Sequence, residues 1–237
     1  MAGAKRVPRF YFSLRSPYSW LAYRELLERY PDVAGAVEWR PFFEPDERSA
    51  QLLAEAGGSF PYTPMSRAKH MYVLQDVGRI AKERGIALTW PVDRDPVWEV
   101  PHLAYLVALR EGAGSAFIAA AYRARWERGQ DICDPAVIAR IAVELGLDPG
   151  ALAGASEDPG LRAEGVRLLL DIEEDGVFGV PFFVHRFSRF WGLDRLAEFA
   201  AHIRAKLVPA RELPAPVPAA VGLGARSTDD GHAGGCG

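Results

Sequence analysis

Cysteine is nearly missing from this 237-residue sequence: only Cys133 and Cys236 occur, far apart and without metal-type spacing. That excludes a disulfide scaffold and a cysteine-based metal centre, and it makes a reducing, cytoplasmic setting the expectation. Long apolar runs are missing too; none approaches the roughly 20 residues that span a bilayer, so no membrane partner is expected. The opening MAGAKRVPRF is basic but has no apolar stretch behind it, so no secretory signal is read. Nor is there an excess of positive charge. The formal net charge is −3, and without a basic block nucleic acid is not an implied partner.

What is present is concentrated first in residues 9–22, RFYFSLRSPYSWLA. Phe10, Tyr11 and Phe12 form a short aromatic run of the kind a buried strand shows. Ser16-Pro17 then reads as a helix start. A serine hydroxyl accepts from a first-turn N–H, and proline suits the first helical position because its missing N–H would have no partner there. The spacing Ser16-x-x-Ser19 is that of the C-x-x-C of thioredoxin-like folds, with both sulfurs replaced by hydroxyls. Such a pair forms no disulfide, so a surviving site would hold the sulfur of another molecule. By itself the pair is also explained as a plain helix cap.

Along the chain, residues 37–43 (VEWRPFF) read as a second strand, with Pro41 marking an edge or a strand end. Strand, helix, strand at this spacing is a βαβ unit with a parallel pair. Helical patterns then follow at 48–56, 66–84, 101–110, 116–128, 135–145 and 160–175. Strand signals return at 179–185 and 187–191 as a hairpin, before a last helix at 193–206. The expected organisation is a thioredoxin-like domain split into 1–47 and 165–208, an all-helical insertion at 48–164, and a disordered Pro/Gly-rich tail at 209–237.

A second feature sharpens the reading. Gly176–Pro181 (GVFGVP) precedes the hairpin where thioredoxin-like folds carry a cis proline whose neighbouring backbone faces the bound sulfur compound. With Ser16–Ala22 (SPYSWLA), Trp191–Arg195 (WGLDR) and the helix face Lys69, Tyr72, Asp76 and Arg79, the chain resembles the DsbA-like superfamily. Within it the chain is similar to the branch of 2-hydroxychromene-2-carboxylate isomerases and kappa-class glutathione transferases. The resemblance covers everything but the tail. It implies an α/β, thioredoxin-like fold with a large helical insertion, and a homodimer.

The resemblance also implies roles. Ser16 would hydrogen-bond a glutathione sulfur and favour its thiolate, as a hydroxyl at a positive helix end can. Val180, before Pro181, would bind the cofactor backbone, Asp194 its γ-glutamyl ammonium, and Lys69 a carboxylate. Tyr18, Ser19, His102 and Trp191 are candidates for the substrate pocket. Three departures bear on the cofactor: Ser13 stands where the family usually has aspartate, Leu193 where it has serine or glutamine, and Glu99–His102 (EVPH) where it has an asparagine. Glutathione, another low-molecular-weight thiol, or no thiol all stay open.

The activity implied is a thiol-assisted cis–trans isomerisation of a conjugated, electron-poor olefin acting on a small-molecule substrate. Alternatives are a cofactor-free isomerase of a polyene or other natural-product intermediate, free or carrier-bound, and a kappa-like glutathione transferase. A non-catalytic thioredoxin-fold binding module is the alternative of another class. Disulfide exchange at Ser16 and Ser19 is excluded for want of sulfur. Asp131 and Asp134 beside Cys133 disfavour a thiolate there.

Overall fold

Alternation along the first strand sets the architecture. In β1 (Arg9–Phe12), Phe10 stands on the row that runs across the sheet through Trp39, Phe183 and Phe190. Phe10 stacks on Phe183 at 4.7 Å, and Phe183 in turn on Phe199 at 4.8 Å. Tyr11, one residue on, sends its hydroxyl instead to Asp175 at 2.7 Å. A strand with period two buries both its faces only when helices cover both.

The computed structural model describes residues 7–61 and 65–207, all within one compact unit, Met1–Leu207; the tail expected from 209 lies outside them. After β1 come α1 (Pro17–Arg29), the short α2 (Pro31–Ala34) and β2 (Glu38–Pro41). The helical stretch follows: α3 (Glu47–Glu55), α4 (Arg67–Glu83), α5 (Glu99–Arg110), α6 (Gly114–Tyr122) continuing into a π turn at Arg123–Glu127, α7 (Pro135–Leu145), α8 (Pro149–Ala153) and α9 (Pro159–Glu174). The chain closes with β3 (Phe182–His185), β4 (Ser188–Trp191), a 3₁₀ turn (Leu193–Arg195) and α10 (Leu196–Leu207).

Strand order is β2-β1-β3-β4, with β1 and β2 parallel and the other pairs antiparallel. Pro41 sits at the end of an edge strand, where its missing N–H breaks no ladder. Asp134 caps α7, Pro135 takes its first position and Gly146 ends it in the left-handed region at φ 70°. The β3–β4 hairpin turns at Arg186, φ 58°.

The helical stretch is anchored to the sheet through α9. Arg9 and Arg40, on neighbouring strands, pair with Asp175 and Asp171, one helical turn apart. α9 runs unbroken through residue 164, and α3 begins at Glu47. The expected insertion boundary near 164 therefore falls inside a helix, one end of which belongs to the sheet. Among the described residues no helix is long and apolar enough to cross a membrane.

Candidate active site

The turn between β1 and α1 is held from several sides. Ser16 caps α1, its hydroxyl accepting from the Ser19 N–H at 3.2 Å, with Pro17 at the first position. The Ser16 N–H donates to the Ser13 carbonyl at 3.1 Å, and the Tyr122 hydroxyl reaches that same carbonyl at 3.1 Å. Ser19 Oγ accepts from the Ser13 N–H, and His102 Nε2 from the Leu14 N–H at 3.1 Å. Ser16 itself is half-buried. In the first turn the Ser19 N–H is used by the cap, and Pro17 has none. The Tyr18 N–H remains without an intrahelical partner, at the positive end of a 13-residue helix.

Two expected pocket residues are thereby corrected. Ser19 is wholly buried and its hydroxyl serves the turn. His102 is also wholly buried, with both ring nitrogens engaged: Nδ1 with the Trp98 carbonyl at 2.7 Å, Nε2 with Leu14. That network assigns the neutral tautomer with the proton on Nδ1, and burial pushes the imidazole down to about 4. His102 is a positioning residue for the turn.

A depressed histidine favours the fold only while it is neutral. Its contribution is complete above pH 6.5 and lost as pH falls towards 4, about 3 kcal/mol in all. Urea midpoints measured at intervals from pH 7.5 to 4 should fall more steeply for the wild type than for His102→Gln. Parallel profiles would remove His102 as the cause.

Beside the turn lies a groove of about 830 Å³. Tyr18 and Glu25, seven residues apart on α1, line it together with Tyr72, Asp76 and Ile80 of α4 and its C-cap Arg84, which recur every four residues. The Tyr18 hydroxyl donates to Asp76 Oδ2 at 2.7 Å, and Arg84 reaches the buried Glu25 at 2.9 Å, so polar contacts tie the two walls together. The other side is Val180, Pro181, Trp191, Leu193 and Asp194. The Val180–Pro181 peptide is cis. Because Tyr11 pairs with Phe182 in antiparallel register, the next step brings Pro181 opposite Phe12, at the entrance of the Ser16 turn. The Val180 N–H and C=O carry no hydrogen bond among the described residues.

Trp191 is half exposed beside Gly179, where a Cβ would come within 3.1 Å of its indole nitrogen. Asp194 is largely exposed and sits in the 3₁₀ turn 3.7 Å from Arg195. Gly192 at φ 103° leaves room for that carboxylate, whose oxygen would be 2.6 Å from any Cβ there. Thus the structure gathers Tyr18, Val180, Pro181, Trp191 and Asp194 around one groove, with Ser16 two residues from Tyr18. Lys69 is exposed on α4 and does not line it; the arginines that do are Arg84 and Arg195. Glu25, Ile80 and Arg84 escaped sequence reasoning, although the four-residue recurrence from Tyr72 to Arg84 is visible in the sequence. Cys133 lies elsewhere, and burial, reinforced by Asp131, pushes its thiol up to about 12. Among the described residues no cluster of three or more histidine, cysteine or acidic side chains could hold a metal.

A family model, the DsbA-like thioredoxin domain, matches residues 9–204. The chain belongs to this family. It is 30% identical over 188 residues to the 2-hydroxychromene-2-carboxylate isomerase of Sphingobium xenophagum, covering 79% of this chain and 92% of that protein. Among solved structures, a 2-hydroxychromene-2-carboxylate isomerase superposes with a TM-score of 0.66 at 22% identity, over 85% of this chain and 96% of that one. The cytosolic disulfide reductase DsbM of Pseudomonas aeruginosa, in its structure with GSH, gives 0.54 at 20% identity, over 84% and 98%. At these identities the structural likenesses establish the DsbA-like fold: a thioredoxin-type sheet carrying a helical insertion.

Proposed function

We propose that this DsbA-like protein is an isomerase that turns a conjugated, electron-poor olefin between cis and trans with the help of a small thiol. The observation that carries the reading is a pair of features, one in the turn just before groove-lining Tyr18 and one on the groove's other side. One is a helix N-terminus offering the Ser16 hydroxyl and the free Tyr18 N–H; the other is the unbonded backbone of Val180 before Pro181. The similarity to a 2-hydroxychromene-2-carboxylate isomerase supports it.

The residues present fit an extended zwitterionic thiol. Val180 offers an N–H and a C=O for a peptide-like backbone, Asp194 an exposed carboxylate for an ammonium, and Arg195 a guanidinium for a carboxylate. A thiolate bound there would supply a nucleophile that adds reversibly to the conjugated carbon and is expelled after rotation. Ser16 and the α1 N-terminus would stabilise the sulfur anion. The groove would align the olefin, and its donors would stabilise the oxyanion that forms as the double bond opens. Disulfide exchange is not part of this reading, since Ser16 and Ser19 carry no sulfur. The apolar Leu193 in the groove, beside Asp194, is the feature that favours the cofactor-free alternative.

The test is a thermal-shift titration of the purified protein with a panel of low-molecular-weight thiols, glutathione included. A ligand specific for the native state raises stability by RT ln(1 + [L]/Kd), so even weak binding registers. A saturable shift with one thiol, lost in Ser16→Ala, is expected. No shift with any thiol would overturn thiol assistance.

A further inference from the structure

We infer that Asp76 and Tyr18 together form a specificity device in which the carboxylate fixes the phenol as a hydrogen-bond acceptor, so that the groove selects a substrate bearing a hydroxyl. This rests on the groove being the substrate site. It adds a discriminating pair that the reaction itself does not require.

The polarity follows from the contact. Asp76 Oδ2 receives the Tyr18 hydroxyl at 2.7 Å, and Oδ1 receives Arg79 at 2.7 Å. These hydrogen bonds, that from Tyr18 foremost and with a lesser one from Tyr72, hold the Asp76 carboxyl below its ordinary range. An ionised carboxylate only accepts. The shared proton therefore belongs to Tyr18, whose own titration is moved upward by burial and by Asp76. With its proton committed, the phenol oxygen presents lone pairs alone to the groove that Tyr18 lines.

A ligand carbonyl, ether or carboxylate set there meets only repulsion, whereas a hydroxyl is bonded. An ammonium is the other donor to consider. Arg79 already balances the Asp76 charge, so the position has no net negative charge to draw a cation, and the neutral hydroxyl is favoured. The surrounding Tyr72 and Trp191, each more than half exposed, are suited to a flat conjugated body. A site built to hydrogen-bond a hydroxyl rejects an analogue without it far more strongly than an apolar wall rejects a missing methylene.

The experiment measures equilibrium binding of matched 3-phenylpropenoates to the full chain without added thiol: the unsubstituted acid, its ortho, meta and para hydroxy forms, and the corresponding methoxy forms. At least one hydroxy form is expected to bind the wild type about tenfold tighter than the unsubstituted acid, and its methoxy counterpart no better than that acid. In Tyr18→Phe the preference should collapse to within about twofold. In Asp76→Ala the released phenol can donate, so the methoxy form should gain on the hydroxy form.

Equal binding of all three classes, absence of binding at millimolar concentration, or a hydroxyl preference that survives Tyr18→Phe would overturn the inference. Ser16→Ala, measured in the same series, separates the two readings. It should keep the hydroxyl preference, so full isomerase turnover in that variant would sink the thiol mechanism while leaving this discrimination standing.

Discussion

Replacing Arg162 with alanine is expected to remove about 3–5 kcal/mol of stability. Arg162 is 3% exposed, and its guanidinium ties α9 to the start of α3 and to the Ser156 carbonyl. One nitrogen donates to both oxygens of Asp46, at 2.7 and 2.8 Å, and to Ser49 Oγ at 2.7 Å; another donates to the Ser156 carbonyl at 2.7 Å. Asp46 caps α3, and its own N–H donates to the wholly buried Glu99 of α5 at 2.7 Å.

Without the arginine, two carboxyl groups face each other with no cation between them. Burial already raises Glu99 above its ordinary range, while the Ser49 N–H and Arg162 hold Asp46 below its own against the effect of burial. The loss should therefore ease at acid pH, where Glu99 is protonated in the fold at little cost. Denaturant unfolding at pH 7 and 5 checks both statements. A loss below about 1 kcal/mol would show that water replaces the guanidinium freely. Arg162→Lys should recover only part, because an ammonium cannot span Asp46 and the Ser156 carbonyl with one planar fork.

None of that network is visible in the sequence, and the reason is physical. Asp46, Glu99 and Arg162 are separated by more than fifty residues at each step and meet only through packing of α3, α5 and α9. Local rules did carry far where local chemistry decides. The Ser16-Pro17 start of α1, the Asp134-Pro135 start and Gly146 end of α7 and the edge position of Pro41 were all legible that way, whereas the cis peptide before Pro181 was expected only from the resemblance to thioredoxin-like folds. Local rules failed where tertiary contacts override the period.

Residues 116–128 read as one uniform helix, yet its last turn widens to a π turn at Arg123–Glu127. Within that turn Arg125 lies between Trp98 and Trp126 and binds Asp93 with both terminal nitrogens. His102 shows the same limit for the site. A histidine after a proline at a helix start reads alike whether it faces a pocket or the core, and only the meeting of α5 with the Leu14 turn decides it. The groove wall on α4 could be read as a helix face, but which residues of that face look inward depends on how α4 lies across α1.

Ser16 should prove to be two things at once, a helix cap and the group that steadies a thiolate, and the two can be pulled apart. As a cap, its loss in Ser16→Ala should cost about 1 kcal/mol of stability, and in Ser16→Gly only a few tenths. As a catalytic hydroxyl at an anionic sulfur, its loss should lower turnover by about 10²–10³-fold in both variants, the scale of removing one well-placed donor from a developing anion. Ser16→Thr keeps the hydroxyl and the cap and should retain measurable turnover.

The readout is turnover of a conjugated, electron-poor olefin of the proposed class in the presence of the thiol that the thermal-shift titration selects, alongside thermal unfolding of each variant. Turnover that is lost equally in the alanine and glycine variants, while stability is lost unequally, assigns the hydroxyl to the chemistry. Turnover that follows stability across the series would reduce Ser16 to the cap that its bond to the Ser19 N–H already makes it.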